Sequence, residues 1–573
     1  MNARAADRRV LLLISAAAAI AVLPLAVHGP SYGHDFNFHL LNWIEAARQF
    51  SHGTLYPRWA YSPAYNAGEP RFVFYPPISW TVGALIGLLL THIPGLPPEV
   101  AWTATAIIFT WICLTAAGLS MYWAARAVAN GKAAVLAAVL YAVNPYMLFT
   151  AYERTAYAEL LAAAWMPLLL KAVLAPEVRV VRVAVPIALL WLTNAPAAVI
   201  GCYTAAVLVV SRMGTEALGR PPRIAATLRT IAKPSAIGTL LGFGLAAFYL
   251  VPAAWERRFV QVSMATIVNM RIDHNFLFER TGSSVDAVAH DAVLRTASWV
   301  AVSLLLAAYL SLLACWNQQR THQSPFEHRP LHLVPLLSFL SIVTFLLTGW
   351  SNPVWQHTPE MLFLQFPWRL LTVVAPLTAL ALASAISEVR ISNRIVSVLG
   401  LASAGILTVS MYKAFHQLAE SNQTVADHVH AFVRKEGAEP TDEYTPQTAD
   451  NDALTIGKPP YWLAPESSAP APARSVPGPA PEHFTVQGKR PEFLILNLRD
   501  YPAWRVLLNR QTVAERAQRD DGLIAFAVLA GTSTIDLRYV RGWDDIAGDG
   551  ISLIAVLALV AASLRKRLPN AVG

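Results

Sequence analysis

Apolar runs dominate this chain, and they recur at the length of a membrane-crossing helix. A span needs roughly 20 apolar residues. Such runs lie at 10–28, 77–92, 100–125, 132–150, 159–175, 183–211, 234–254, 296–316, 332–350, 369–387, 395–414 and 548–564. Two of them do not read as single crossings. The run 77–92 is short, begins at Pro76-Pro77 and ends in HIPGLPP, which predicts an interfacial or re-entrant helix on the outer side. The run 183–211 is long, and Asn194-Ala195-Pro196 interrupts it, because proline removes a backbone donor and disfavours helix just before it. It predicts two short helices with their junction toward the outer face.

With those adjustments the basic clusters fall on one side. Arg4, Arg8 and Arg9 share it with Arg126, Lys132, Arg179, Arg182, Arg212, Arg220, Arg223, Arg229 and Lys233. Arg320, Arg329, Arg390, Arg394, Arg565, Lys566 and Arg567 complete the set. The positive-inside rule then predicts about 12 crossings with both termini cytoplasmic. The expected outer segments are 29–99, 150–158, 255–295, 351–368 and about 415–547. The first apolar run resembles a signal peptide, but no clear small-residue cleavage site follows, so a retained signal anchor is expected.

The last outer segment changes period. Residues 459–482 are rich in Pro, Ala and Ser, as in a linker or irregular loop. FLILNLR, WRVLLN, LIAFAVLA and STIDLRYV are short β-rich runs parted by turn residues such as Asp520-Asp521-Gly522. The fold class expected is mostly α: a polytopic helical membrane protein with a small extracytoplasmic β-sandwich near the C-terminus. The expected units are a transmembrane core at 1–414, a linker region at 415–482, the β-sandwich at 483–545, and a final anchor and cytoplasmic tail at 546–573.

Composition agrees with the pattern. Of the 573 residues, 55% are hydrophobic and 14% charged, with mean hydropathy +0.42. Soluble domains carry about 25% charged residues. The net charge of +8 sits in short clusters between apolar runs, which points to membrane topology and not to nucleic acid. Cys113, Cys202 and Cys315 lie in apolar segments and form neither a disulfide framework nor a metal spacing.

The chemistry gathers in the outer loops. Ionisable groups at a membrane boundary are costly and suggest function. Asp35, flanked by His34 and His39, can act as a general base or take a divalent metal. It can equally cap the helix that follows. Glu69 stands on a turn between glycine and proline, where it suits a site or a salt bridge to Arg71. Glu153, Arg154 and Glu159 occupy the next boundary, where snorkelling and helix-start charges are the plain alternative. Arg257, Arg258, Arg271 and Arg369 are candidates for a lipid-linked phosphate, since guanidinium suits bidentate phosphate recognition, and His34, His39, Arg58, Arg71, Arg154 and Asn194 are further candidates for substrate binding. No HExxH spacing, glycine-rich phosphate loop or nucleophile elbow occurs.

HDFNFHLLNWIEAARQFSHGTLYPRW and GEPRFVFYPPISW, with PAAWERRFVQV, LQFPWRLL, EYTP, YPAWRVLLNRQTV and GLIAFAVLAGTSTIDLRYV, follow in order along the chain. This series resembles bacterial multispanning proteins of the YfhO-like kind, also labelled 6-pyruvoyl-tetrahydropterin synthase-related membrane proteins. The metal-site arrangement of that soluble synthase is missing from the sequence. The amino-terminal pattern is also similar to GT-C glycosyltransferases, whose first-loop acid is matched by Asp35. Their second acid before a proline-aromatic run is matched by Glu69, and an acid of the second outer loop by Glu153. Asn194-Ala195-Pro196 replaces the Lys-bearing breaker common in that superfamily, and His34-Asp35-Phe36 replaces paired acids.

The resemblance implies an inverting hexosyl- or pentosyltransferase in a bacterial inner membrane. Its donor would be a polyprenyl-phosphate-linked sugar and its acceptor a cell-surface glycan, lipid or protein. Asp35 would be the base, Glu69 would orient the acceptor or assist the base, Glu153 would complete the catalytic acids, and arginines would stabilise the leaving phosphate. No cofactor is implied beyond a divalent metal as one option. The alternatives are a transporter or flippase for lipid-linked sugars and a non-catalytic assembly factor.

Overall fold

The computed structural model describes residues 3–219, 224–267, 270–321, 331–473 and 475–564. Arg220, Arg223, Arg329, Arg565, Lys566 and Arg567 lie outside the described residues. The protein is mostly helical, with seven strands near the C-terminus.

Among the described residues, eight helices can cross a membrane by length and composition, or ten if two bent pairs each count as one crossing. The pairs bend by 74° between Ile224–Leu245 and Ala247–Phe259, and by 94° between Leu333–Leu346 and Gly349–His357. The twelve crossings expected from sequence exceed this number for local reasons. The run 159–175 divides into helices Tyr157–Ala162 and Met166–Val173, each too short to span. The run 183–211 breaks at Asn194 into Val180–Thr193 and Ala195–Ala217, and only the second is long enough. Asn194 has extended backbone, and its side chain caps the second helix by accepting from Ala197 N at 2.8 Å. The run 77–92, not among the twelve, is a helix of 15 residues, roughly 22 Å long, short of the ~30 Å hydrocarbon core.

Contacts between distant segments define two rims. On one, Arg9 donates to Asn393 O at 3.5 Å, Asn130 N to Ser387 Oγ at 3.0 Å, and Val178 N to Thr230 O at 2.9 Å. This rim gathers the short basic connections. On the other, Tyr32 N donates to Gln417 O at 3.0 Å and Asp35 N to Arg154 O at 2.9 Å. Gln365 Nε2 donates to Ala265 O there at 2.6 Å.

The second rim carries the strands, all paired antiparallel. β1 (Tyr461–Ala464), β3 (Glu492–Arg499) and β6 (Leu523–Val528) form one sheet in the order β1-β3-β6. β2 (His483–Gly488), β4 (Trp504–Leu508), β5 (Gln511–Thr512) and β7 (Gly531–Tyr539) form the other, in the order β2-β7-β4-β5. The sheets pack face to face through Leu494, Leu496, Phe526, Val506, Ile535 and Leu537. The three-stranded sheet is covered on its other face as well, where Ile495, Ala525 and Trp462 pack on Ala64 and Ala67 of the first outer loop. Burial on both faces explains why FLIL is a continuous apolar run and not an alternating one.

The strand unit is therefore docked as well as tethered. Arg499 N donates to Ala67 O at 2.9 Å, and Trp59 packs against Tyr501 and Trp504 with ring centres 5.7 and 5.6 Å away. Residues 415–482, expected as a linker, carry helix Val425–Val433 with a full capping box at Thr424 and Asp427, and also supply β1.

By the positive-inside rule the basic rim is expected to face the cytoplasm. Cysteines placed at Ser51, Ser283 and Ser475, all exposed, are expected to react with an impermeant thiol reagent in intact cells. One at Ser392 is expected to stay unlabelled. Labelling at Ser392 with protection at Ser51 would invert the assignment.

Candidate active site

Asp35 stands where the first outer loop meets a broken span. The chain from Gly131 runs as helix to Ala142 and as Pro145–Phe149, then widens into a π-turn at Thr150–Arg154. π-turns recur at functional sites because they turn side chains out of helical register. Gly33 lets the loop lie on that turn backbone to backbone. A Cβ on Gly33 would meet Glu153 O at 2.2 Å. The contact is fixed by His34 N donating to Glu153 O at 3.3 Å and Asp35 N to Arg154 O at 2.9 Å.

Asp35 occupies the position before helix Phe36–Ser51, yet its carboxylate makes no capping hydrogen bond. The side chain is 42% exposed and faces a cavity of about 910 Å³. Its Oδ2 lies 3.6 Å from Arg154 Nη2. Arg154 is buried, stacks over Trp368 at 4.8 Å, and donates to Glu159 Oε2 at 2.5 Å. Arg369 approaches the same Glu159 oxygen at 3.6 Å and donates to Leu364 O at 2.8 Å and Gln365 Oε1 at 3.1 Å. Tyr146 donates to the other oxygen of Glu159. One carboxylate thus holds two guanidinium groups beneath Asp35.

The same cavity is lined by His34, His39, Asn194 and Arg257. Burial lowers the pKa of both histidines, His39 to about 4, so its imidazole is neutral at physiological pH. His39 packs among the rings of Tyr75, Trp43 and Tyr157. Arg257 is exposed and pairs with Glu360 at 3.5 Å. Among the described residues, Asp35, His34 and His39 do not gather into a three-ligand metal set.

Other candidates stand elsewhere. Glu69 is wholly buried away from the cavity, 2.6 Å from Arg71 Nε, and accepts from Thr441 N at 2.9 Å. Arg71 also donates to Asn42 Oδ1 at 3.0 Å and Thr441 Oγ1 at 2.7 Å. This is the loop salt bridge, held by a left-handed turn at Ala64–Asn66 and by Gly68, whose φ is +77°. Glu153 accepts from Gln417 Nε2 at 2.8 Å and ties two outer loops together. Arg58 is buried in an ion pair with Asp545. Arg258 stacks on Trp255 at 3.5 Å, and Arg271 is exposed beside Asp273 at 2.7 Å. Neither lines the cavity.

Two groups stand outside the site residues assigned from sequence. Glu159, read there as a boundary or helix-start charge, is the shared partner of both arginines. Glu443 lines the cavity from the far end of the chain. Backbone pairing of 259–261 with 445–447 seats Glu443 and Tyr444 there. Burial pushes the Glu443 carboxyl up to about 6, and Glu69 adds to that. The EYTP run was the only signal for it. A second cavity of about 480 Å³ shares Phe38 and Thr441 with the first and is lined by Asn37, Arg48, Tyr61 and Arg71.

No family model matches the chain, the YfhO-like kind included, and no curated protein matches its sequence. Solved structures give partial likenesses. An arabinofuranosyltransferase, AftD from Mycobacteria, is 17% identical, with TM-score 0.37, over 70% of this chain and 27% of that one. The apo oligosaccharyltransferase of Archaeoglobus fulgidus is 14% identical, with TM-score 0.41, over 72% and 56%. ArnT from Cupriavidus metallidurans, bound to undecaprenyl phosphate, is 14% identical, with TM-score 0.34, over 74% and 69%. This chain thus spans about a quarter of the first and about half of the second. Likeness at these scores assigns neither a residue role nor an activity.

Glu69→Gln leaves the buried Arg71 without its counter-charge. Breaking a buried pair costs about 3–5 kcal/mol, so the unfolding temperature is expected to fall clearly in a thermal melt. An unchanged melt would free Glu69 from this structural role.

Proposed function

We propose that the chain is a GT-C-type membrane glycosyltransferase. It moves a sugar from a polyprenyl-phosphate donor to a cell-envelope acceptor on the outer face of the membrane. The observation that carries this reading is the uncapped, half-open carboxylate of Asp35, beside two arginines in a cavity of about 910 Å³. A phosphate needs fixed cations, and Arg154 and Arg369 are fixed by Glu159. A lipid tail needs apolar walls, and Val293, Leu294, Phe363 and Phe366 line the same space.

In the reaction proposed, the acceptor hydroxyl gives its proton to Asp35 as its oxygen bonds to the anomeric carbon. The bond from that carbon to the phosphate oxygen breaks, and the electron pair leaves with the polyprenyl phosphate. Attack opposite the leaving group inverts the anomeric centre. Arg154 and Arg369 offset the charge that develops on the phosphate. Glu159 is a positioning residue, since it acts through the arginines. The smaller, more polar cavity beyond Phe38 suits the acceptor. The unit 1–414 forms the donor core and shares both cavities with 415–482; 483–545 extends acceptor binding beyond them, and 546–573 anchors the chain.

Asp35→Asn keeps the shape of the residue and removes the base. With a radiolabelled polyprenyl-phosphate sugar and native envelope as acceptor, transfer is expected to fall about 10²–10⁴-fold. Binding of undecaprenyl phosphate, followed by native mass spectrometry, is expected to persist. Full transfer by Asp35→Asn, or no lipid retained by the wild type, would sink the proposal.

A further inference from the structure

Three other carboxylates meet in the interior, away from the Asp35 cavity. Glu256 closes helix Ala247–Glu256, and Asp544 and Asp545 open the last helix, Trp543–Leu564. They are 8%, 4% and 3% exposed. One carboxylate oxygen of each lies within 4.8 Å of the others. The rings of Trp255 and Trp543 meet alongside at 4.4 Å.

Two of the three are partly satisfied. Tyr501 of the strand unit donates to Glu256 Oε2 at 2.5 Å. Gly542 N donates to Asp545 Oδ2 at 3.1 Å, and Arg58 pairs with Oδ1. Asp544 is different: its Oδ2 is buried and accepts no hydrogen bond. A buried carboxylate oxygen without a partner carries the full cost of its lost hydration. The charges do not balance either. Three carboxylates face one guanidinium, that of Arg58, which leaves a deficit equal to one divalent cation.

We propose that Glu256, Asp544 and Asp545 bind a calcium-sized divalent cation. The donor set is all oxygen, without imidazole or thiolate, which selects hard ions over zinc or copper. Oxygens no more than 4.8 Å apart can share a centre at about 2.8 Å or less, so a small inward movement of the side chains reaches the ~2.3–2.6 Å of calcium; magnesium requires about 2.0–2.1 Å and a stricter octahedron. The ion neutralises the cluster together with Arg58 and fills the vacancy at Asp544 Oδ2. It fastens four parts at one point: the first outer loop through Arg58, the helix ending at Glu256, the last helix, and the strand unit through Tyr501. The role is structural and independent of what the Asp35 cavity does.

The test uses the full chain in detergent, stripped with EDTA, dialysed, and titrated with CaCl2 or MgCl2 by calorimetry and thermal unfolding. One calcium per chain is expected, with a dissociation constant below about 1 mM and weaker binding of magnesium. The unfolding temperature should rise by a few degrees at saturation. Asp544→Asn is expected to weaken calcium at least tenfold and abolish the shift, while losing no stability in EDTA, because it removes buried repulsion. Glu256→Gln serves as a second variant should Asp544→Asn not fold. Asp549→Asn, whose partner is the exposed Arg541, is expected to bind as wild type does. Wild type that takes up neither ion and melts alike with and without them would overturn the site, as would binding that survives both Asp544→Asn and Glu256→Gln. In the first case the acids share protons instead.

Discussion

Glu159 holds Arg154 and Arg369 by one carboxylate, and the cavity around Asp35 depends on that arrangement. Two guanidinium groups buried side by side repel each other, and neither alone would stay desolvated. A shared anion, with Tyr146 on its far oxygen, lets both remain at the cavity wall. The stacking of Arg154 on Trp368 and of Arg369 on Phe366, at 4.9 Å, then fixes the planes of both groups. Asp35 joins from outside as the fourth charge, and it is the exposed one. A buried ion network of this kind is weak evidence for stability but strong evidence for fixed geometry.

The outer layer supports this network from above. The first outer loop is clamped between the helices and the three-stranded sheet, with Ala64, Ala67 and Trp59 in apolar clusters shared with the strands. Glu69 and Arg71 lie within that clamp, where their pair joins helix Phe36–Ser51, through Asn42, to Thr441. Thr441 begins the short segment that brings Glu443 to the cavity. The residues that pattern alone assigns to chemistry and the residues that line the cavity are thus linked by one chain of buried polar contacts.

The sequence disclosed what is local and hid what is remote. The helices, the break at Asn194 and four of the strands were legible, because period and breakers are local properties. So was an acid after the first apolar run, followed by an arginine at the next boundary. The partner of Arg58 stands 487 positions away, so no local pattern distinguishes its buried ion pair from a phosphate-binding role. Glu69 and Arg71, two residues apart, read equally as a site and as a salt bridge until burial decides. β1 and β2 were missed because Pro-rich flanks and polar residues mask short strands whose order comes from pairing with β3 and β7. Glu159 sits among apolar residues in AELLAAAW and resembles a helix-start charge. Only the fold shows that two arginines converge on it.

The same distinction between local and remote bears on how the strand unit can act. Were it merely tethered, its removal would cost only what it binds. Instead it covers apolar surface of the first outer loop, and Arg499, wholly buried, donates to Asn451 Oδ1 at 2.6 Å beside the segment carrying Glu443. Deleting the unit would expose Trp59, Ala64 and Ala67 to water and release the loop that holds Glu69 and Arg71. An effect of such a deletion on the cavity therefore says nothing by itself about where an acceptor binds. Single substitutions on the solvent side of the four-stranded sheet, such as at the exposed Arg505, leave the clamp intact and separate recognition from support.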